Sequence, residues 1–400
     1  MQPQTLDAAV AELPGANLVL VSTPGSHAAR EAKAALQNGL NVMLFSDNVP
    51  LAEERALKET ARQKGLLVMG PDCGTAIINT TPLAFANVVA DGRTGAIAAS
   101  GTGLQEFSVL LDRLGGGLRH GIRVGGRELY DEIGALSTLT AIDLLAADEQ
   151  IDQIVLISKP PVAQTAPLVF ERLASCGKPV IACVFGAAAD DIPAAIKPAP
   201  NLKMAAEMAA GKQLPSIDHT AEATALLAAA KVSGNQVTGL YTGGTLCAEA
   251  QLILAAAGLP VSSNAPVSGA TADGPNRILD LGADEYTVGR PHPMIEPAVR
   301  LQPLQSAVAD ASNAVILLDV VLGYGAHHDP AATIVQAIDE AATNGTRTPP
   351  LVVASVCGSR ADPQNFDQQC KKLEQAGVKL CPSNCDAAQL AAQIVLQARS

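Results

Sequence analysis

Two turns made of small residues have the composition of an anion site. SGTG at 100–103 follows an apolar run and opens an amphipathic stretch, the pattern of a strand, a tight turn and a helix. The first amides of a helix lack partners within it, and its dipole favours negative charge there. A similar turn, TGGT at 242–245, has the same layout. The sequence therefore predicts phosphate binding at these positions: Ser100, Gly101, Thr102, Gly103, Gly243, Gly244 and Thr245.

Three cationic or titratable side chains are candidates for catalysis. Lys159, in SKPP, follows an apolar run, where a cation can hold a carboxylate or a phosphate. Arg290 and His292 lie in GRPHPM, where two prolines restrict the backbone around the histidine. An exposed lysine, and a loop that contacts a partner subunit, are the alternatives. We predict that these three residues bind or activate an anionic substrate.

Further candidates lie where predicted strands end. Gly125 and Gly126 belong to VGGRE, and Asp319 lies on a run that leads into GYGAHHDP at 323–330. Open parallel sheets bind ligands beyond the carboxyl ends of their strands. A helix N-terminus disfavours the imidazolium form, so His327 can stay neutral there and act as a base or ligand. A solvated loop is the alternative for this histidine.

The eight cysteines do not form a zinc signature. Several lie in apolar runs, which predicts buried free thiols. CPSNC at 381–385 has no nearby histidine or second cysteine pair, so we predict no metal site. Cys73, in GPDCG, is either a reactive thiol or part of a structural turn.

The elements around these residues alternate between strands and helices. Apolar runs at 17–23, 41–47 and 66–70 alternate with helical patterns at 26–39 and 51–65. This alternation predicts βαβ units and a parallel sheet. After residue 186 the Ala- and Pro-rich stretch AAADDIPAAIKPAPN predicts an exposed excursion, and a helical pattern near 219–231 leads to a predicted linker.

One α/β unit occurs twice. TGLYTGGTLCAEA at 238–250 matches TGAIAASGTGLQEF at 94–107 in layout, and PPLVVASVCGS at 349–359 echoes KPVIACVFG at 178–186. Repetition on this scale predicts two similar sheets. The predicted domains are 1–92, 93–215 and 237–400, with a linker at 216–236.

Composition excludes several classes of protein. Apolar residues make up 48% of the 400 residues but aromatic residues only 2%, which favours α/β packing of small side chains. The net charge is −12, without a basic run, so we expect no nucleic-acid binding. No apolar run approaches the roughly 20 residues of a membrane span, and no secretory signal is visible, so we expect a cytoplasmic protein.

Several motifs resemble the NDP-forming acyl-CoA synthetases. LLVMGPDCGTAIIN, GRTGAIAASGTGLQE, IRVGGRE and VLISKPP are similar to the succinyl-CoA synthetase α subunit, and GLYTGGTLCAEA, ILDLGADEYT and LLDVVLGYGAHHDPAA to the carboxy-terminal domain of its β subunit. With FSDNVPL, VGRPHPMI and both parts in one chain, the sequence resembles the FdrA family over nearly its whole length.

The resemblance implies a fold and a phosphate site. The expected fold is α/β: a partial, Rossmann-like CoA-binding domain followed by two flavodoxin-like parallel-sheet domains. The phosphate is expected between two helix N-termini, one after Ser100-Gly101-Thr102 and one after Gly323-Tyr324-Gly325. The phosphorylated histidine of the synthetases has no counterpart before His219. The Gly-rich turn that holds the CoA phosphates is expected to be absent, because the chain is expected to begin within that domain, and no ATP-grasp domain is expected.

The resemblance also implies an activity. FdrA-type proteins are similar to subunits of an oxamate carbamoyltransferase of allantoin and purine catabolism, which interconverts oxalurate plus phosphate with oxamate plus carbamoyl phosphate. We therefore expect a carbamoyltransferase subunit in an oligomer, with small phosphate and carboxylate substrates and no required cofactor. The alternatives are an acyl-CoA synthetase subunit, with CoA or nucleotide supplied through an ATP-grasp partner, and a non-catalytic scaffold.

Overall fold

The computed structural model describes residues 3–159, 164–230, 232–343 and 349–399. The chain divides into two compact units. Unit 1 comprises Met1–Leu83, Asp91–Leu104 and Leu118–Ala199, and unit 2 comprises Ala84–Ala90, Gln105–Gly117 and Pro200–Ser400. Among the described residues, no helix has the length and apolar character of a membrane span. The predicted boundaries of three domains stay a prediction.

Unit 1 begins with a three-stranded parallel sheet. Its strands, in the order β1-β2-β3, are β1 (Leu18–Val21), β2 (Asn41–Leu44) and β3 (Val68–Met69). The helices of this region are α1 (Leu6–Glu12), α2 (Gly25–Gln37) and α3 (Leu51–Gln63). Gly39 and Gly65, with φ of 76° and 67°, follow the ends of α2 and α3, where a left-handed residue suits a helix C-terminus. The predicted alternation is confirmed.

A seven-stranded sheet follows in the order β10-β9-β8-β6-β7-β4-β5. Its strands are β4 (Thr75–Ile78), β5 (Thr81–Ala84), β6 (Thr94–Ala98), β7 (Leu118–Arg123), β8 (Gln153–Ser158), β9 (Val180–Val184) and β10 (Lys197–Pro198). The next helices along the chain are α4 (Gly101–Arg113), α5 (Leu136–Ala147) and α6 (Thr165–Ala174). Strands β6 to β10 are parallel, and β4 runs antiparallel to β7. Counted from β6, the parallel strands have the flavodoxin-like order 2-1-3-4-5.

Unit 2 contains a six-stranded parallel sheet in the order β12-β13-β11-β14-β15-β16. Its strands are β11 (Gln236–Tyr241), β12 (Val261–Ser262), β13 (Asn276–Asp280), β14 (Asn313–Val321), β15 (Leu351–Cys357) and β16 (Lys379–Cys381). Its further helices are α7 (Leu202–Ala210), α8 (His219–Ala229), α9 (Gly244–Ala256), α10 (Asp284–Thr287), α11 (Leu301–Ala309), α12 (Pro330–Thr343), α13 (Phe366–Gln375) and α14 (Asn384–Ala398). With β12 added at its edge, this sheet repeats the order 2-1-3-4-5. The prediction of an α/β fold with two flavodoxin-like sheets is confirmed.

Two segments predicted as loose are packed. In the Ala- and Pro-rich stretch, Ile196 and Ala199 are buried and β10 pairs with β9, so the stretch is only partly an exposed excursion. The segment predicted as a linker, 216–236, contains α8, in which the Thr224 hydroxyl donates to Gln397 Oε1 of α14 at 3.0 Å. A Cβ on Gly234 would overlap with the backbone of Asn313. These contacts hold the segment within unit 2.

Candidate functional site

In unit 1, the candidate site lies at the switch point of the seven-stranded sheet. β7 and β8 pair with opposite edges of β6, so the connections leave the end of β6 in opposite directions, which opens a crevice there. The predicted residues 100–103 follow β6 directly and form the first turn of α4. The topology therefore brings this turn to the position where such sheets bind ligands.

The first turn of α4 packs closely against the start of β4. A Cβ on Gly101 would lie 2.8 Å from Thr75 Oγ1 and 3.7 Å from Arg123 Nη1, so only glycine fits without a shift. The hydroxyl of Ser100 accepts the amide of Gly103 at 3.3 Å, and Thr102 is buried. A hydroxyl and a guanidinium thus lie beside a helix N-terminus.

Arg123 is a residue of this site that sequence reasoning missed. It ends β7 in register with Ala98, the last residue of β6, so its side chain leaves the sheet beside the turn. Arg123 is only 9% exposed, and its Nε has no hydrogen-bond partner in the described part of the chain. Its Nη2 donates to Asp72 Oδ2 at 2.6 Å. An arginine directly before VGG, at the end of a predicted strand, was the available signal.

The predicted Gly125 shapes the neighbourhood of Arg123. Its φ is 110°, and a Cβ there would lie 3.1 Å from the carbonyl oxygen of Gly70. The buried Lys58 donates to the carbonyl of Val124 at 3.1 Å and pairs with Glu128, which fixes this loop. A Cβ on Gly126 would meet open space, so close packing does not require glycine at that position.

Cys73 is part of a structural turn in this site. It is fully buried, and its thiol donates to the carbonyl of Arg123 at 3.4 Å. Burial raises the pKa of the Cys73 thiol to about 11, so the nucleophilic thiolate does not form near neutral pH. Lys159 follows β8 with an exposed side chain, and its catalytic role stays a prediction.

In unit 2, the turn at 242–245 already holds a carboxylate. Asp319, which is fully buried, accepts the amide of Thr242 at 2.8 Å and that of Gly243 at 2.8 Å. Arg300 balances this charge by donating from Nη2 to Asp319 Oδ1 at 2.8 Å. The predicted Asp319 thus occupies the amide of Gly243, which was expected to bind phosphate, together with that of its neighbour Thr242. Phosphate binding by Gly244 and Thr245 stays a prediction.

His292 lies near the same turn, since a Cβ on Gly282 would lie 2.7 Å from His292 Nε2 and 2.9 Å from the carbonyl oxygen of Thr242. That Cβ would also lie 3.1 Å from Asp280 Oδ1, so a histidine and a carboxylate flank this glycine. Nδ1 of His292 accepts the amide of Met294 at 3.2 Å, which leaves the proton of a neutral ring on Nε2. The Arg290 side chain is exposed.

The loop GYGAHHDP is held by contacts within unit 2. The amide of Gly323 donates to Gln364 Oε1 at 3.1 Å, and the amide of Tyr324 donates to the carbonyl of Ala86 at 2.9 Å. Gly325 is close to the Phe85 ring, where a Cβ would lie 2.6 Å from Cδ1. His327 Nδ1 accepts the amide of Asp329 at 3.1 Å. These contacts account for two amides of the predicted second helix N-terminus, and its role in binding phosphate stays a prediction.

The described residues do not fit the phosphates of CoA at the turn between β1 and α2. Pro24, before α2, has no amide hydrogen, and a Cβ on Gly25 would overlap with the carbonyl oxygen of Asp47. Carbonyl oxygens at a helix N-terminus repel a phosphate, so the start of α2 is not suited to CoA. No group of three potential metal ligands occurs among the described residues.

Comparison with known proteins adds a family. Residues 240–394, less than half of the chain, match the family model described as CoA-ligase. The uncharacterized protein YahF of Escherichia coli strain K12 is 40% identical over 409 aligned residues, which cover 98% of this chain and 79% of YahF.

Solved structures give weaker similarity. Apo acetyl-coenzyme A synthetase 1 of Ca. Korarchaeum cryptofilum is 14% identical, with 96% of this chain and 84% of that one covered and a TM-score of 0.36. The ATP citrate lyase of Methanothrix soehngenii in complex with citrate and coenzyme A is 19% identical, with 54% and 38% covered and a TM-score of 0.41. The identity to YahF over nearly the whole chain is the finding that places this protein: it belongs to the YahF family and contains a CoA-ligase-type segment.

Proposed function

We propose that this chain handles an acyl phosphate in a reaction of the acyl-CoA synthetase type. The observation that carries the proposal is the buried guanidinium of Arg123 beside the first turn of α4, with Thr75 Oγ1 on the same side. A buried arginine, a hydroxyl and helix amides are the groups that proteins use for phosphate. The CoA-ligase match at 240–394 supports this class of reaction.

The site suits the departure of phosphate from a mixed anhydride. A nucleophile attacks the carbonyl carbon of the acyl phosphate, the bond from that carbon to the bridging oxygen breaks, and phosphate leaves with the electron pair. The amides of α4 and the guanidinium of Arg123 would stabilise the charge that develops on the leaving phosphate. The nucleophile, and any CoA or nucleotide, would come through a partner subunit, because the turn before α2 does not fit CoA phosphates.

Carbamoyl transfer is the second candidate, and it is favoured because the segment where the synthetases carry a phosphorylated histidine has no histidine here. Residues 187–218 contain no histidine, and His219 Nε2 lies 3.2 Å from Asp386 Oδ1. Direct transfer between a carbonyl carbon and phosphate needs no phosphohistidine, and carbamoyl phosphate is a mixed anhydride like an acyl phosphate. Transfer between oxamate and carbamoyl phosphate would therefore use the same anion site.

Titration and activity assays test the proposal together. Isothermal titration of the purified chain with inorganic phosphate should give binding that Arg123→Met abolishes and Arg123→Lys weakens. The chain, with and without candidate partner subunits, is then given acetyl phosphate plus CoA, or carbamoyl phosphate plus oxamate. Thioester formation supports the first function, and oxalurate formation supports the second. If Arg123→Met binds phosphate as the native chain does, the proposed site is wrong.

A further inference from the structure

Asp72 places a carboxylate at the mouth of the Arg123 site. Its Oδ2 accepts from Arg123 Nη2 at 2.6 Å, while Oδ1 has no hydrogen bond to any residue that the structure describes. The Asp72 side chain is 67% exposed, and that of Arg123 is 10% exposed. One end of this ion pair is therefore fixed inside unit 1, and the other end faces solvent with a free acceptor.

The backbone holds Asp72 in this place. Its amide donates to the carbonyl of Ser46 at 3.0 Å, and the next amide, of Cys73, donates to the carbonyl of Leu44 at 3.0 Å. The φ of Asp72 is 56°, a left-handed conformation that aspartate and asparagine adopt more readily than other side chains. The carboxylate is thus positioned by the turn and not by its ion pair alone.

A fixed carboxylate beside a buried arginine changes which anions can bind. The guanidinium needs a counter-charge, which Asp72 supplies in the free protein. An incoming oxyanion at the first turn of α4 is attracted by Arg123 and repelled by Asp72. The repulsion is offset when the ligand carries an N–H or O–H group next to its anionic group, because that group can donate to Asp72 Oδ1.

We propose that Asp72 is a specificity-determining residue that selects oxyanions with an adjacent N–H or O–H donor over oxyanions without one. This inference rests on the anion site of the proposed function. The ligand class follows from two neighbouring groups of opposite charge: Arg123 would bind the oxyanion, and Asp72 would accept from the adjacent N–H or O–H group. The phosphate dianion is disfavoured although it has one O–H group, because the repulsion of its two negative charges by Asp72 outweighs the single hydrogen bond that it can donate.

A pair of nearly isosteric probes tests the inference. Oxamate carries an NH2 group where pyruvate carries a methyl group, and both have the same carboxylate. Isothermal titration should show that the native chain binds oxamate about tenfold tighter than pyruvate, as expected for one hydrogen bond to a charged acceptor. In Asp72→Asn the preference should disappear, and inorganic phosphate should bind about tenfold tighter because a like charge is gone.

Controls separate this inference from the proposed function. Asp72→Gly, which suits the left-handed backbone, should lose the preference as Asp72→Asn does, and Asp131→Asn, which removes an exposed charge elsewhere in unit 1, should keep it. An equal affinity for both probes in the native chain, or a preference that survives in both Asp72 variants, overturns the role of Asp72. If the native chain binds none of the three anions, or if Arg123→Met binds them unchanged, the anion site itself fails.

Discussion

At the scale of residues, Gly101 allows the close packing at the proposed anion site. The first turn of α4 approaches Thr75 Oγ1 so closely that a Cβ on Gly101 would lie 2.8 Å away. The sequence identified this glycine, because it follows an apolar run and precedes an amphipathic one. It could not identify the pair of Arg123 and Asp72, which are 51 positions apart and meet only through the register of β7 and the turn before β4.

Substitution of Gly101 by alanine should weaken phosphate binding while the chain remains folded. Overpacking typically costs about 1–3 kcal/mol, and 1.4 kcal/mol corresponds to about tenfold in affinity. We therefore expect about tenfold weaker phosphate binding in Gly101→Ala by isothermal titration.

Two variants control this result. Gly15→Ala, at a glycine whose Cβ would meet open space, should leave phosphate affinity unchanged. Gly101→Ala combined with Thr75→Ala should bind phosphate no more weakly than Thr75→Ala alone, because the hydroxyl with which the alanine overlaps is gone. Native affinity in Gly101→Ala alone would show that the anion binds elsewhere.

At the scale of elements, the pairing of β11 with β14 determines which side chain contacts the turn before α9. Leu240 of β11 is in register with Leu318 of β14, so Asp319 lies beside the end of β11 and reaches the amides of Thr242 and Gly243. The sequence indicated the Gly-rich turn and the aspartate as separate candidates. It could not show that the aspartate accepts hydrogen bonds from the amides of this turn, because that contact depends on the pairing of two strands far apart in the chain.

Removal of Asp319 should destabilise unit 2 and expose an anion site. Arg300 is 4% exposed and would lose its counter-ion in Asp319→Ala, a change that typically costs about 3–5 kcal/mol. Urea denaturation should show this loss, and added phosphate should restore part of the stability, because the amides of Thr242 and Gly243 become available.

A double variant of the Arg300–Asp319 ion pair gives a second measurement of its contribution to stability. Arg300→Met combined with Asp319→Leu should be less destabilised than Asp319→Ala, since no buried charge is left alone. A loss below about 1 kcal/mol in Asp319→Ala would mean that the pair contributes no more than an exposed ion pair.

For the whole molecule, the repeat was the most informative sequence signal. Two stretches with the same layout predicted two similar sheets, and both sheets have the order 2-1-3-4-5 counted from β6 and β11. Parallel order follows from alternating strands and helices, so local patterns were sufficient. The division into compact units does not follow the repeat, because residues 84–90 and 105–117 belong to unit 2. That division depends on tertiary contacts, which a local pattern does not contain.

One buried carboxyl group should give the protein a pH-dependent stability. Glu249 of α9 is 2% exposed, and it accepts the amide of Leu202 at 2.9 Å and the side-chain amide of Asn384 at 2.8 Å. It therefore joins the starts of α7 and α14 to α9. Burial raises the pKa of Glu249 from its ordinary 4.5 to about 7, despite these two hydrogen bonds, which lower it.

The sign of the effect follows from proton binding. Between about pH 4.5 and pH 7 the folded chain keeps a proton that the unfolded chain has lost, so this contribution to stability is complete below pH 4.5 and disappears as the pH rises through 7. The contribution is on the order of 3 kcal/mol.

In Glu249→Gln the side chain is neutral in both states, so the part of the pH dependence of the unfolding free energy that Glu249 contributes should vanish. The stability of the variant relative to the native chain should therefore increase as the pH rises. Urea denaturation at several pH values measures both curves, with Glu374→Gln, an exposed carboxyl of unit 2, as the control that keeps the native slope. Parallel curves for the native chain and Glu249→Gln would show that Glu249 loses its proton alike in both states and that other groups set the pH dependence.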